Sequence, residues 1–292
     1  MKYQSDEEIR LDNYLTKELD ESRSQVSKII KNGEVLVNEK PVKAGYILKK
    51  GDIIEVNHEP LDDSIVPEKI DLDIVYEDDD VIVINKANGV VVHPAPGNYH
   101  GTLVNGLLYH TKLSDLNGEV RPGIVHRIDA YTTGLLMIAK NNKAQEYLAK
   151  ELAEKKTYRK YVALVWGNIK NDSGTIDAPI GRSLSDRKKM AVLAGGKEAI
   201  THFKVLKRYG EVTLIELKLE TGRTHQIRVH MDYIGHPVVN DPVYGNRRLI
   251  DDTGQCLHAK TLGFIHPKTL KYMEFESKLP DCFLNILNLF QK

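Results

Sequence analysis

Cysteine is nearly absent from this chain. Cys256 and Cys282 are the only two among 292 residues. That is too few for a disulfide framework, and their spacing forms no CxxC pair that could hold a structural zinc through thiolates. An excess of either charge is also missing, because 41 lysines and arginines balance 41 aspartates and glutamates. Spread evenly, that balance would argue against a nucleic-acid partner, since phosphate binding needs positive excess. No apolar run approaches the ~18 residues of a membrane span. Met1-Lys2-Tyr3-Gln4-Ser5-Asp6-Glu7-Glu8 lacks the basic-then-apolar pattern of a secretory signal. A soluble, cytoplasmic chain with reduced thiols is therefore expected. GxxxxGK[ST], HExxH and GxSxG are all missing, which removes the usual signatures of nucleotide hydrolysis, zinc proteolysis and serine hydrolysis. His225 and His230 are five residues apart and do not share a helical face, so no metal is expected.

What is present is ordinary globular material, 41% hydrophobic and 28% charged, long enough for roughly two domains. The charge is not even. Met1 to Glu68 carries ten basic and fifteen acidic residues, a net of −5, and the remainder carries +5. Within the acidic part, Ser22 to Gly51 holds Arg23, Lys28, Lys31, Lys40, Lys43, Lys49 and Lys50 against only Glu34 and Glu39. Leu61 to Asp80 is the reverse, with nine acids and one base, Lys69. Screening confines such fields to ~10 Å at 0.1 M salt, so the local patches matter more than the sum.

Periodicity divides the chain. Ile9 to Leu19 predicts a helix with Leu11, Leu15 and Leu19 on one stripe. Asp20 or Ser22 can cap a second, Gln25 to Asn32, with Gly33 beyond its end. Strands Glu34–Asn38 and Asp52–Val56 follow. Residues 8–57 thus read as a small helix–helix–strand domain, 58–69 as an acidic, proline-bearing linker, and 70–292 as a larger domain. In the latter, strands are expected at Asp73–Glu77, Val81–Asn85, Gly134–Ile138, Tyr161–Trp166, Thr201–Lys207 and Val212–Glu220. Val90–Val92 should be extended, up to a turn at Pro94-Ala95-Pro96-Gly97. Helices are expected at Leu103–His110, Lys143–Glu154 and Thr224–Ile234. Without a regular βαβ rhythm, the class is α+β, with a mixed, largely antiparallel sheet and flanking helices.

Three stretches carry chemistry. In Arg121-Pro122-Gly123-Ile124-Val125-His126-Arg127-Ile128-Asp129, a Pro-Gly turn and a polar loop feed an apolar strand, an arrangement that often positions catalytic groups. Read alone, Asp129 could equally stabilise a turn. Thr221-Gly222-Arg223-Thr224-His225-Gln226-Ile227-Arg228-Val229-His230 places ring and guanidinium donors at helical spacing, and Arg228 could fork onto a carboxylate. In Arg159 to Gly167, Tyr161, Ala163 and Val165 share one strand face.

With these residues in view, the chain resembles the RluA/RluD-type pseudouridine synthases. His126-Arg127-Ile128-Asp129 through Lys140 is similar to that family's HRLD-x-x-T-S-G-L-L signature. Arg223 to His230 with Gly235 to Gly245, Tyr161 to Gly167, and Leu257-His258-Ala259 with Phe264-Ile265-His266-Pro267 resemble its further blocks. Arg10 to Val56 resembles an S4 RNA-binding domain. The departures are Ala130-Tyr131 where charged residues are usual, Thr133 for Ser, and Ala87 for Pro after Lys86.

The resemblance implies a small α+β S4 domain beside the catalytic domain. It implies isomerisation of uridine to pseudouridine in structured RNA, with large-subunit rRNA the leading substrate and tRNA the alternative. A non-catalytic RNA-binding assembly or translation factor is the rival of a different class. Asp129, Tyr161 and Arg228 would be catalytic, with Arg228 paired to Asp129. Arg127 would fill the space left by a flipped uridine. Arg127, His126, Arg223, Gln226 and Ile227 would meet RNA in the catalytic domain. Arg23, Lys28, Lys31, Lys49 and Lys50 would do so in the S4 domain. Arg182, Arg187, Lys188, Lys189 and Lys197 would hold backbone phosphates. No cofactor is expected, and the protein should act as a monomer.

Overall fold

Apolar residues recur at helical spacing and then at alternate positions in the first sixty residues, and both patterns point into one core. The computed structural model describes residues 1–292 except 20, 22, 59–64, 96–97, 117, 119–120, 187–188, 246–247 and 292, and the side chain of 24. The chain divides into two units, Met1–Asp63 and Ser64–Lys292.

The first unit runs β1 (Lys2–Gln4), β2 (Ile9–Arg10), α1 (Leu11–Glu18), α2 (Arg23–Lys31), β3 (Val35–Val37), β4 (Lys40–Pro41), β5 (Ile47–Leu48) and β6 (Ile53–Val56). A sheet ordered β1-β6-β3-β4 packs with the helices around Leu11, Leu15, Val26, Ile30, Val35 and Ile54. The first helix starts two residues later than its periodicity suggests. Ile9 and Arg10 instead pair with β5, and the N–H groups of Leu11 and Asp12 donate to the carbonyls of Tyr46 and Ala44. Backbone acceptors thus satisfy donors that a side-chain cap would otherwise serve. Asp20 and Ser22, the expected caps of α2, lie outside the described residues. Asn38 and Glu39, at φ 48° and 64°, form the two-residue turn between β3 and β4.

The stretch expected as a linker does not behave as one piece. His58 Nδ1 lies 2.6 Å from Glu34 Oε2 in the first unit. In the second unit, Asn105 Nδ2 donates to the Val66 carbonyl (2.8 Å), and Glu68 N donates to the Asn105 carbonyl (3.0 Å).

The second unit continues with β7 (Ile74–Glu77), β8 (Val81–Lys86), α3 (Leu103–His110), β9 (Thr133–Ala139), α4 (Asn142–Ala153), β10 (Tyr158–Trp166), β11 (Ser173–Asp177), β12 (Ile180–Arg182), β13 (Met190–Val192), β14 (Ile200–Arg208), β15 (Val212–Leu219), α5 (Gln226–Tyr233), β16 (Leu257–Ile265), β17 (Tyr272–Glu276) and α6 (Asp281–Asn288). Its main sheet is ordered β11-β14-β15-β10-β16-β9-β8-β7, with β17 also on β16. The described pairings are antiparallel except β9 with β16. The fold is α+β, as the sequence implied. Both faces of the sheet are covered, which is why β8 and β9 are nearly continuous apolar runs. Ile82 and Ile84 enter one core with α3 and α5, while Val81 and Val83 enter another with α4. The turn expected at Pro94–Gly97 lies partly outside the described residues.

The parallel seam positions the loop that precedes β9. Gly134 sits opposite Ala259 at φ 106°, and a Cβ there would lie 2.3 Å from the Ala259 carbonyl oxygen. Only glycine permits both the backbone angle and the approach.

Candidate active site

Strand β9 is fed by the loop that carries Asp129, and four separate contacts hold that loop. Thr132 N donates to the Asp129 carbonyl (3.0 Å) and closes a turn. Gln255 Nε2 donates to Thr132 Oγ1 at 3.0 Å. Thr133 Oγ1 lies 2.8 Å from His258 Nδ1, and His258 Nε2 lies 2.8 Å from Ser277 Oγ. The ammonium of Lys86 donates to the carbonyls of Ala87, Val90 and Ala130 at 2.9, 2.9 and 2.6 Å. Lys86 is among the largest fully buried side chains of the chain. Burial pushes its pKa down to about 7, with Asp129 pulling the other way.

Asp129 meets the expected partner. Arg228 Nη1, from α5, donates to Asp129 Oδ2 at 2.8 Å. The other edge of the guanidinium is forked onto Asp241, with Nε to Oδ2 at 2.7 Å and Nη2 to Oδ1 at 2.8 Å. Asp241 Oδ1 also accepts from Val243 N and Tyr244 N at 2.9 and 3.1 Å. Arg228 therefore cannot swing, and one of its donors is left aimed at Asp129. The Tyr244 ring lies 5.1 Å from the Arg228 guanidinium carbon. Burial opposes the charge on Arg228, but Asp241 and then Asp129 outweigh it, and its pKa stands above the ordinary value. His225 begins α5 in the left-handed conformation (φ 56°). Its Nδ1 is 2.9 Å from the Tyr244 hydroxyl, and its Nε2 is 3.7 Å from Asp129 Oδ1.

Asp129, Tyr161 and Arg228 line one cleft of about 400 Å³, with Arg127, Ile227 and Leu257 among its other walls. Tyr161 is buried on β10, and burial raises its phenol pKa. The phenol is therefore neutral near pH 7, and its hydroxyl makes no hydrogen bond to the described residues.

The remaining expected site residues divide. Arg127 stands exposed, with Nη1 3.3 Å from His93 Nε2. Arg223 is exposed, and its Nε donates to the Glu198 carbonyl at 2.8 Å. Ile227 forms an apolar wall of the cleft. His126 is turned toward β9, where its Nε2 accepts from Met137 N at 3.2 Å. Burial, followed by the nearby charge of Arg159, pushes its pKa down to about 3.

Gln226 departs from expectation. Its oxygen accepts from Thr221 Oγ1 and Arg223 N, and its nitrogen donates to the Ile200 carbonyl and Thr201 Oγ1. Both lone pairs and both protons are used, so nothing remains for RNA. Gln226 stitches α5 to β14 instead.

In the first unit, Arg23, Lys28, Lys31, Lys49 and Lys50 are all exposed. Arg182 and Lys197 are exposed and Lys189 is half-buried; Arg187 and Lys188 lie outside the described residues.

The sequence reading did not assign Lys86 or Asp241. Both stand within quoted stretches, but their meaning depends on partners far along the chain.

Two family models match the chain. The RNA pseudouridylate synthase model covers residues 80–233, and the S4 domain model covers residues 9–54. An uncharacterized RNA pseudouridine synthase of Bacillus subtilis is 54% identical, over 97% of this chain and 94% of its own length. A ribosomal large subunit pseudouridine synthase D of Neisseria meningitidis is 46% identical, over 97% of this chain and 79% of its own length. Among solved structures, human RNA pseudouridylate synthase domain containing 1 is similar with a TM-score of 0.60 and 26% identity. That likeness covers 80% of this chain and 98% of the human chain.

Proposed function

As the chain belongs to the RNA pseudouridylate synthase family and carries an S4 domain, we propose that it isomerises specific uridines of large-subunit rRNA to pseudouridine, with Asp129 as the essential carboxylate. The observation that carries this is the Asp129–Arg228–Asp241 arrangement opening onto the cleft that Tyr161 lines.

The reaction breaks the bond between N1 of uracil and C1′ of ribose, turns the base, and forms a bond between C5 and C1′. C5 loses a proton and N1 gains one, so composition is unchanged. The ribose fragment becomes electron-poor, and an ionised carboxylate can add to C1′ or stabilise it. Arg228 holds that carboxylate in place through a charge-assisted hydrogen bond of 2.8 Å. Tyr161 offers its ring for stacking, worth about 1–3 kcal/mol in single-strand binders. In a glycal route its free hydroxyl would also move a proton. Extruding a base from its stack costs a few kcal/mol, and exposed Arg127 is placed to occupy the gap.

The first unit holds structured RNA through Arg23, Lys28, Lys31, Lys49 and Lys50, by shape and phosphate contacts. Ribosomal RNA is favoured as substrate by the relatives named for the large subunit. Among the described residues no helix is long and apolar enough to cross a membrane. We place the enzyme in the cytoplasm, as a monomer.

The test is to delete the gene and map pseudouridines by carbodiimide-primer extension across rRNA and tRNA. One or more large-subunit sites should vanish, return with the wild-type gene and stay absent with Asp129→Asn. Loss confined to tRNA would transfer the substrate to tRNA. Loss at no site would overturn the proposal.

A further inference from the structure

Buried cationic side chains in this protein are, as a rule, fully partnered. Arg228 has two carboxylates, and Lys86 has three backbone carbonyls. Among the described residues, Arg159 is the exception. It is only 8% exposed, yet its Nε is buried with no hydrogen-bond partner, and no carboxylate of the described residues pairs with it. A buried N–H donor left without a partner is costly, so the unmet Nε of a side chain that lines a cleft calls for an explanation.

Its position supplies one. Arg159 stands two residues before Tyr161 on β10, which puts both side chains on one face of the strand. Both line the cleft that holds Asp129. Room for the guanidinium is made by Gly222, where a Cβ would come within 2.9 Å of Arg159 Nη1. Nearby acids are already engaged. Glu220 pairs with His202 at 2.6 Å and with Lys155 at 3.7 Å. Glu151 keeps one unpaired oxygen and lies beyond ion-pair distance of Arg159. Lys155 on the same wall is also paired with Glu198 at 2.9 Å, while Arg223 adds positive charge there.

We propose that Arg159 receives a phosphate of the nucleotide that enters the cleft, and so fixes the sugar over Asp129 while the base lies against Tyr161. The inference rests on the reading of the cleft as the uridine site. A guanidinium matches two phosphate oxygens at once, which sets orientation as well as affinity.

Two measurements on the full-length protein test this. The first is thermal melting without RNA. Replacing an arginine whose buried Nε is unpartnered by an apolar chain of similar length removes the unmet donor, so Arg159→Met should melt at or above the wild-type temperature. A lower melting temperature for Arg159→Met, restored by Arg159→Lys, would show an arginine that supports the fold, and would overturn the proposal.

The second measurement is binding of a short RNA carrying the mapped uridine, in the Asp129→Asn background, so that turnover plays no part. Methylphosphonate is placed in turn at the two linkages flanking the uridine. At one linkage the neutral substitution should weaken binding roughly tenfold or more, the scale of a charge-assisted hydrogen bond. Arg159→Met should weaken binding of the unmodified RNA equally, and the two effects should not add. Additive effects, or undiminished binding by Arg159→Met, would overturn the assignment. If no uridine maps to this enzyme at all, it is the proposed function that fails, and the melting result still stands on its own.

Discussion

An arginine–aspartate triad stands in each unit, and the two are inverses. In the first unit one carboxylate lies between two arginines: Asp12 accepts from Arg10 at 2.9 Å and from Arg23 at 3.1 Å. In the second, one arginine lies between two carboxylates, Asp129 and Asp241. The central residue is 4% exposed in both, but the flanking residues differ. The side chains of Arg10 and Arg23 are 49% and 58% exposed, while Asp241 is fully buried. The first arrangement is net positive and shows its donors to solvent, as suits a surface that meets phosphates. The second is net negative and shows one carboxylate to a cleft. A pair near water can be loosened and reset, whereas a buried one holds its geometry because unpairing is costly.

The largest effect is expected from Asp129→Asn, which should cut turnover roughly a thousandfold or more while leaving RNA affinity near wild type, on the scale seen for removed nucleophiles. Single-turnover kinetics with the mapped RNA would check it, and near-normal turnover would remove Asp129 from the chemistry. Asp241→Ala comes next. It strands Arg228, and breaking a buried pair costs about 3–5 kcal/mol. Asp12→Ala strands only half-exposed arginines and should cost about 1 kcal/mol or less. Urea melts of the two variants should differ accordingly, and equal destabilisation would dissolve the contrast between the triads.

Acid should separate the units too. Burial holds the buried His93 and His258 down to about 4, and His126 down to about 3. The unfolded chain therefore takes up protons that the folded second unit refuses. Its stability should fall as pH drops from about 6.5 toward 4. Asp12 is held down to about 2, first by its hydrogen bond to Arg10, with burial opposing and Arg23 assisting. Its contribution is complete above the usual carboxylate pKa and is lost only as pH falls toward 2. The single tryptophan, Trp166, lies in the second unit and reports it alone. Its fluorescence melt should drop steeply between pH 6.5 and 4, and a flat profile there would contradict the assignment.

The smallest expected effect is in salt dependence. Removing exposed Lys28 and Lys31 together should shallow the RNA-binding salt slope by about 0.7–0.9 for each phosphate that they neutralise. No change would place the phosphates elsewhere.

How much of this was legible in the sequence depended on distance along the chain. The strand after Gly134 and the face shared by Tyr161, Ala163 and Val165 are local patterns, and they stand where periodicity put them. The Asp129–Arg228 pair was reached through family motifs, since no local rule links residues 99 apart. Asp241 was harder, because its four hydrogen bonds appear only once the turn at Asp241–Tyr244 closes on α5. Lys86 drew no assignment, because its acceptors are backbone carbonyls that carry no side-chain signal. Gln226 was misread for a related reason. A polar residue between two arginines looks like an RNA contact until Ile200, Thr201, Thr221 and Arg223 are seen to use it up. Strand β16 escaped because buried His258 and Thr261 interrupt its apolar pattern.

The parallel seam between β9 and β16 also sets an order of events in time. Thr133 and His258, which meet across it, are 125 residues apart. Contacts of such long sequence separation form late, because the intervening chain must close first. The first unit closes over a shorter span, its end strands pairing Lys2 with Glu55, so a ribosome-bound or refolding chain should pass through a stage that grips RNA before the Asp129 loop is seated. In refolding, RNA affinity should return before turnover. Simultaneous recovery of the two would mean that the loop is organised without its late strand.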